Sequence, residues 1–102
     1  MFPIKREDIH ICVGDKRHIY KLPKPIDFEF AKALSRLGDL KSYDLGDGTL
    51  WFLENAGEIK FKFESGKKEL DARFKRKTYE INIKLLEEFM TSYFNTVIQK
   101  EN

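Results

Sequence analysis

A single cysteine, Cys12, stands in the chain, so no internal disulfide can form. A lone thiol fits a reducing compartment, and a cytoplasmic location is expected. Long apolar runs are missing as well. None approaches the ~18 residues that read as a membrane-spanning helix. At the start, Phe2-Pro3-Ile4 runs straight into Lys5-Arg6-Glu7-Asp8, which is no signal-peptide pattern. Neither sign of charge dominates: 19 basic against 17 acidic side chains leave a net charge of +2. That balance does not by itself imply nucleic acid. Glutamine occurs once, at Gln99, in a chain that is 35% charged. This composition leans towards a thermophile. Internal repeats, linkers and low-complexity segments are lacking, so residues 1–102 read as one domain, within the usual ~100–150 residues.

What is present is a core, and it is aromatic. Hydrophobic residues make up 41% of the chain, with nine Phe, four Tyr and one Trp. A chain of this size buries only ~60–70% of its unfolded surface, so a large internal cavity would come directly out of stability. Charge is unevenly placed. Residues 60–77 hold eight Lys/Arg against three Asp/Glu, and residues 27–59 hold three against seven.

Asp8 to Val13 alternates and predicts a strand, with a turn at Gly14–Arg17 and a return at His18–Leu22. Pro23 and Pro25 break that pattern. Asp27 is placed to cap a helix from Phe28 to Leu37, with Ile26 and Ala31 as a hydrophobic staple. Gly38 suits the left-handed position that ends it. Three hairpins follow. Gly46-Asp47-Gly48 joins a strand near 40–45 to one at 49–54. Asn55-Ala56-Gly57 joins that to 58–64, and Ser65 to Lys68 joins 58–64 to 69–75. Pairing Glu64 with Glu69 brings Phe63 to Leu70, Phe61 to Ala72 and Ile59 to Phe74. Pairing Glu54 with Glu58 brings Trp51 to Phe61, and pairing Leu45 with Thr49 brings Tyr43 to Trp51. All three registers place the same side chains on one face. A short strand at Thr78–Ile81 is also conceivable from the pattern. Asn82 is placed to cap a helix from Ile83 to about Gln99. Its apolar stripe combines Leu85, Phe89, Tyr93 and Val97 with Leu86, Met90, Phe94 and Ile98, and Lys84, Glu87, Glu88, Ser92 and Asn95 lie opposite.

The expected fold is α+β in two layers: one antiparallel sheet in the order β-β-α-β-β-β-β-α, with the long C-terminal helix across one face. From residue 26 onward this order resembles the helix-grip (START-like) domains. The resemblance implies an apolar ligand bound beneath the long helix.

Candidate chemistry is sparse. His10, Cys12 and His18 are the soft ligands. If Val13 faces His18, then His18 shares a face with Ile9, Ile11 and Val13, away from His10 and Cys12, and no metal site is expected. No flanking signature supports Cys12 as a nucleophile. The glycines around Asp47 form a turn and not a phosphate loop, since neither Lys-Ser/Thr nor a helix follows. No catalytic residue and no cofactor is expected. Lys67, Lys68, Lys75, Arg76 and Lys77 are nucleic-acid candidates, but the strand between them consumes its aromatics in the core, which leaves no stacking platform. Its outer face sets Lys60, Lys62, Arg73 and Lys75 against Glu58, Glu64, Glu69 and Asp71. Leu50 and Phe52 point away from the long helix, and Leu40 is placed to join them. A cluster containing Phe calls for a cover. Two are open: the N-terminal hairpin or residues 1–7, or a protein partner, most simply a second copy. Tyr43, Trp51, Phe61, Phe63, Phe89 and Tyr93 are placed to line the apolar pocket of the alternative reading. The expected function is a small non-catalytic interaction or assembly domain, with apolar ligand binding and weak nucleic-acid binding as the alternatives.

Overall fold

The computed structural model describes residues 4–10 and 14–101. Along the chain run β1 (Lys5–Ile9), β2 (Lys16–Lys21), α1 (Phe28–Leu34), β3 (Asp39–Asp44), β4 (Thr49–Asn55), β5 (Ile59–Glu64), β6 (Glu69–Phe74) and α2 (Tyr79–Glu101). Among the described residues the strands form one antiparallel sheet in the order β1-β2-β6-β5-β4-β3. The α+β two-layer arrangement is the expected one.

The sheet has one apolar face because its central strands alternate strictly. Ile59, Phe61 and Phe63 on β5 pair with Phe74, Ala72 and Leu70 on β6, the register expected from the sequence, and all six are buried. Both helices supply the other side of that core: Phe30, Ala31 and Leu34 from α1, and Ile83, Leu86, Met90 and Phe94 from α2. Phe30 is the junction. Its ring makes an edge contact with Phe63 at 5.8 Å and stacks on Phe94 at 5.5 Å. The segment before α1, with its two prolines, is fixed to the β5–β6 turn. Leu22 N–H donates to Lys68 C=O and Ile26 N–H to Lys67 C=O.

Asp27 caps α1 as expected, accepting from the Phe30 N–H at 2.9 Å. The α-helix stops at Leu34 and tightens into a 3₁₀ turn over Ser35–Leu37. Gly38 is not in the left-handed conformation. Its φ of 171° is extended, and glycine is required there for space: a Cβ would lie 2.7 Å from the Glu54 carbonyl oxygen.

Several registers differ from expectation. In β3–β4 the connection is a two-residue turn, with Gly46 at φ +90° and the Leu45 N–H donating to Gly48 C=O. The pairing therefore slips by one, so that Ser42 faces Trp51 and Tyr43 faces Leu50. Leu40 turns inward and Tyr43 outward, the reverse of their expected faces. In β4–β5 the slip is two residues, which preserves the faces: Trp51 meets Phe63 and Leu53 meets Phe61. That turn holds two residues at positive φ, Ala56 at 51° and Gly57 at 73°. In the first hairpin Asp8, not Val13, lies opposite His18. This moves Arg6 and Asp8 to the inner face and Ile9 to the outer. Ile11, Cys12 and Val13 lie outside the described residues. No strand forms at 78–81. A 3₁₀ turn over Arg76–Thr78 leads directly into α2, and Asn82 sits inside the helix, its amide donating to Thr78 Oγ1. Of the two expected columns on α2, that of Leu86, Met90 and Phe94 is buried, while Leu85 is exposed.

The core interpretation yields two stability predictions. Phe61→Ala should cost ~3–5 kcal/mol in urea unfolding, the usual range for a fully buried phenylalanine. Gly38→Ala should cost ~1–3 kcal/mol, because its new methyl meets a backbone carbonyl that cannot turn away. If Gly38→Ala is neutral, the close approach of the α1–β3 connection to β4 is wrong.

Candidate functional site

The outer face of the sheet carries neither helix. Along it, charges interleave: Arg17 makes a two-point contact with Asp71 at 2.7 and 3.1 Å, and Lys21 reaches Glu69 at 2.6 Å. Toward β3 and β4 these charges give way to aromatic surface. There Leu50 and Phe52 point outward, and Tyr43 joins them through the register slip. The Tyr43 and Phe52 rings make an edge contact at 5.6 Å. Tyr43 is 51% exposed, Phe52 39% and Leu45, just past the strand, 46%. The lysines beside them, Lys41 and Lys62, face Phe52 directly across the ladder.

The expected N-terminal cover is not formed by the described residues. β1 lies at the opposite edge, with β2, β6 and β5 between it and β4. Leu40 does not belong to this patch. It faces inward and lines a groove of about 690 Å³ between α1 and the β3–β4 end, together with Phe28, Lys32, Ser42 and Trp51. Of the residues proposed to line a ligand pocket, Phe61 and Phe63 are buried in the core, and Trp51 stacks on Phe63 at 5.6 Å. Phe89 and Tyr93 stack on each other beneath α1, half-buried. Tyr43 lies on the other side of the sheet. The nucleic-acid candidates are split: Lys67 and Lys68 precede β6, whereas Lys75, Arg76 and Lys77 follow it.

A second constellation has no counterpart in the sequence reading. It joins β1, β2 and the first half of α2 on the inner face. His18 is 4% exposed. Its Nε2 lies 2.8 Å from the Tyr79 hydroxyl, and its Nδ1 lies 2.7 Å from Asp8 Oδ1. The carboxylate sits off the axis of a ring N–H, so this close contact is not a directed hydrogen bond. Arg6 approaches Asp8 at 3.2 Å and donates to Glu87 at 3.0 Å. The same Glu87 oxygen accepts from the buried Tyr20 hydroxyl at 2.8 Å. Glu87, expected on the solvent side of α2, therefore anchors the β1–β2 end. Two signals for this were available. Tyr20 points into the core and needs a partner for its hydroxyl, and Glu87 borders the apolar stripe, next to Leu86. A cleft of about 500 Å³ beside this network is lined by Ile4, Arg6, Tyr20, Glu87, Met90 and Thr91.

Burial is the largest influence on His18 and pushes its pKa below 6.5. Arg6 adds to that, and Asp8 and Glu87 oppose it. Burial and the bond to Glu87 push Tyr20 far up, so it stays a phenol. His18 thus sits as a neutral ring, with protein groups at both nitrogens. Its geometry is that of a strut between β2, β1 and α2. The expected reason for excluding a metal does not stand, since the register that turned His18 away from His10 is not the one formed. Among the described residues no three His, Cys, Asp or Glu side chains gather closely enough to hold an ion. No helix among them is long and apolar enough to cross a membrane.

Compared with known protein families, curated proteins and solved structures, the chain matches none significantly, and the helix-grip resemblance gains no support from them.

Two predictions follow from the network. Glu87→Ala should cost ~1–3 kcal/mol, because it strands a buried hydroxyl. Adding Tyr20→Phe to that variant should restore part of the loss, and a purely additive double variant would show that the bond carries nothing. The second concerns pH. Well above pH 6.5, His18 is neutral in both the folded and unfolded chain and contributes no pH dependence. Below 6.5 the unfolded chain takes up a proton that the folded chain resists. Stability therefore falls from about pH 7 downward until the folded pKa is passed. In urea titrations at pH 7.5 and pH 5, wild type should lose more stability than His18→Gln. Equal losses would mean that His18 is not buried as a neutral ring.

Proposed function

We propose that the chain is a small non-catalytic interaction domain whose contact surface is the outer face of β3 and β4. The carrying observation is the aromatic pair Tyr43 and Phe52, exposed beside Leu50 on a face whose central strands carry mainly charged residues. Scattered exposed apolar residues need no cause, but an aromatic cluster at one corner of a charged sheet marks a contact surface. Aromatic residues are enriched at the centres of protein interfaces, where they bury much area for few rotatable bonds. The neighbouring Lys41 and Lys62 supply aliphatic stems at the rim.

Support for an apolar ligand beneath α2 is weaker. The residues that would line it fill the space with one another: Phe61 packs edge-on against Phe74 at 5.7 Å, and Phe30 sits among Phe63, Phe89, Tyr93 and Phe94. Nucleic-acid binding has two separate lysine clusters and no free aromatic platform between them.

The test is native mass spectrometry of the natively purified chain beside Phe52→Lys. The wild-type chain should carry a bound protein, either another chain or its own copy. Phe52→Lys should melt within a few degrees of wild type and lose that species. A wild-type chain with nothing bound, or a complex unaffected by Phe52→Lys, overturns the reading.

A further inference from the structure

Resting on that reading, we infer that the occupant of the β3–β4 corner is a second copy of this chain, joined edge to edge through β3 about a two-fold axis at Ser42. The two edges of the sheet are not alike. β1 has charges at four successive positions, Lys5 to Asp8, a common protection against strand addition. β3 reads Asp-Leu-Lys-Ser-Tyr-Asp, six residues without proline, and one lysine is its only internal charge.

The backbone of β3 says which groups remain open. Leu45 N–H donates to Gly48 C=O, so Tyr43 and Lys41, in step with it, direct their N–H and C=O groups to β4. Leu40, Ser42 and Asp44 then direct theirs outward, at the free edge. A two-fold axis normal to the sheet pairs even residues with even and keeps each face continuous. Two registers overlap nearly the whole strand. One sets Lys41 against Lys41 of the second copy, and like charges directly opposite are destabilising. The other sets Ser42 against Ser42, Leu40 against Asp44, and Lys41 against Tyr43.

Charge thus selects the Ser42 register, and its side chains agree with that choice. On the outer face Lys41 lies between its own Phe52 and the second copy's Tyr43, a cation between two rings. The exposed aromatic pairs of the two copies merge around the axis into one patch. On the inner face Asp44 of the second copy arrives beside Leu40, at the groove that Lys32 also lines, so opposite charges meet there twice.

The test uses the full chain. Light scattering should give twice the monomer mass. In a Cys12→Ser background, Ser42→Cys should form a covalent dimer under mild oxidation, since paired residues across antiparallel strands lie within disulfide reach. Asp39→Cys should not, being far from its own copy in this register. Ser42→Pro removes an outward N–H and no ladder bond within the chain. It should stay folded by circular dichroism and run as a monomer. If Ser42→Pro does not fold, the Ser42→Cys crosslink decides. A wild-type monomer at its highest soluble concentration overturns the second copy as occupant, while the interaction reading still rests on what the native chain carries. A dimer that survives Ser42→Pro, or one that links through Asp39→Cys but not Ser42→Cys, overturns β3 as the seam.

Discussion

The contact between the stripe Ile83-Leu86-Met90-Phe94 on α2 and the inner rows of β5 and β6 sets the terms for everything else in the molecule. It fixes the parity of the two central strands, because a shift of one residue there would bring Lys60 and Lys62 under the helix in place of Phe61 and Phe63. Burying a side chain of this size is worth ~1.5–3 kcal/mol, so that shift is not available. Once β5 and β6 are fixed, β4 and β2 follow by pairing, and β3 and β1 are left as edges. The open corner and the polar network around the buried His18 and Tyr20 both lie where this contact thins out, one at each side of the sheet.

Legibility in the sequence tracks the same gradient. Where a strand is apolar on every second residue and pairs across a short turn, as in β5–β6, the register could be read residue by residue. β4 kept its faces through a two-residue slip, because alternation fixes parity and not the exact partner. β3 lost its parity: Gly46-Asp47-Gly48 offers either a two- or a three-residue connection, and Leu40, Ser42 and Tyr43 are too mixed to choose between them. That single slip moved Tyr43 into the candidate surface and Leu40 out of it. Leu50 and Phe52 were placed correctly because β4 inherits its faces from β5.

The first hairpin was misread for a different reason. Its alternation suggested that Ile9, Ile11 and Val13 share a face with His18, whereas the residues that share it are Arg6 and Asp8. A polar inward row is tolerable only when each member has a partner, and here the partners come from elsewhere in the chain: His18, Tyr20, Tyr79 and Glu87. Apart from the Asp8–His18 contact within the hairpin, separations of 61 to 81 residues between these groups leave no local pattern to find. Burial of a neutral histidine among them makes this end of the sheet sensitive to acid.

The unequal edges of the sheet bear on how far association can go. A sheet with two unprotected edges can add strands at each and grow into fibres. Among the described residues one edge, β1, is a run of charges, which leaves β3 as the edge more open to strand addition. When two copies spend that edge on each other about a two-fold axis, neither has a second one to offer. In the proposed pair growth would end at two copies, a closed particle instead of the seed of a polymer.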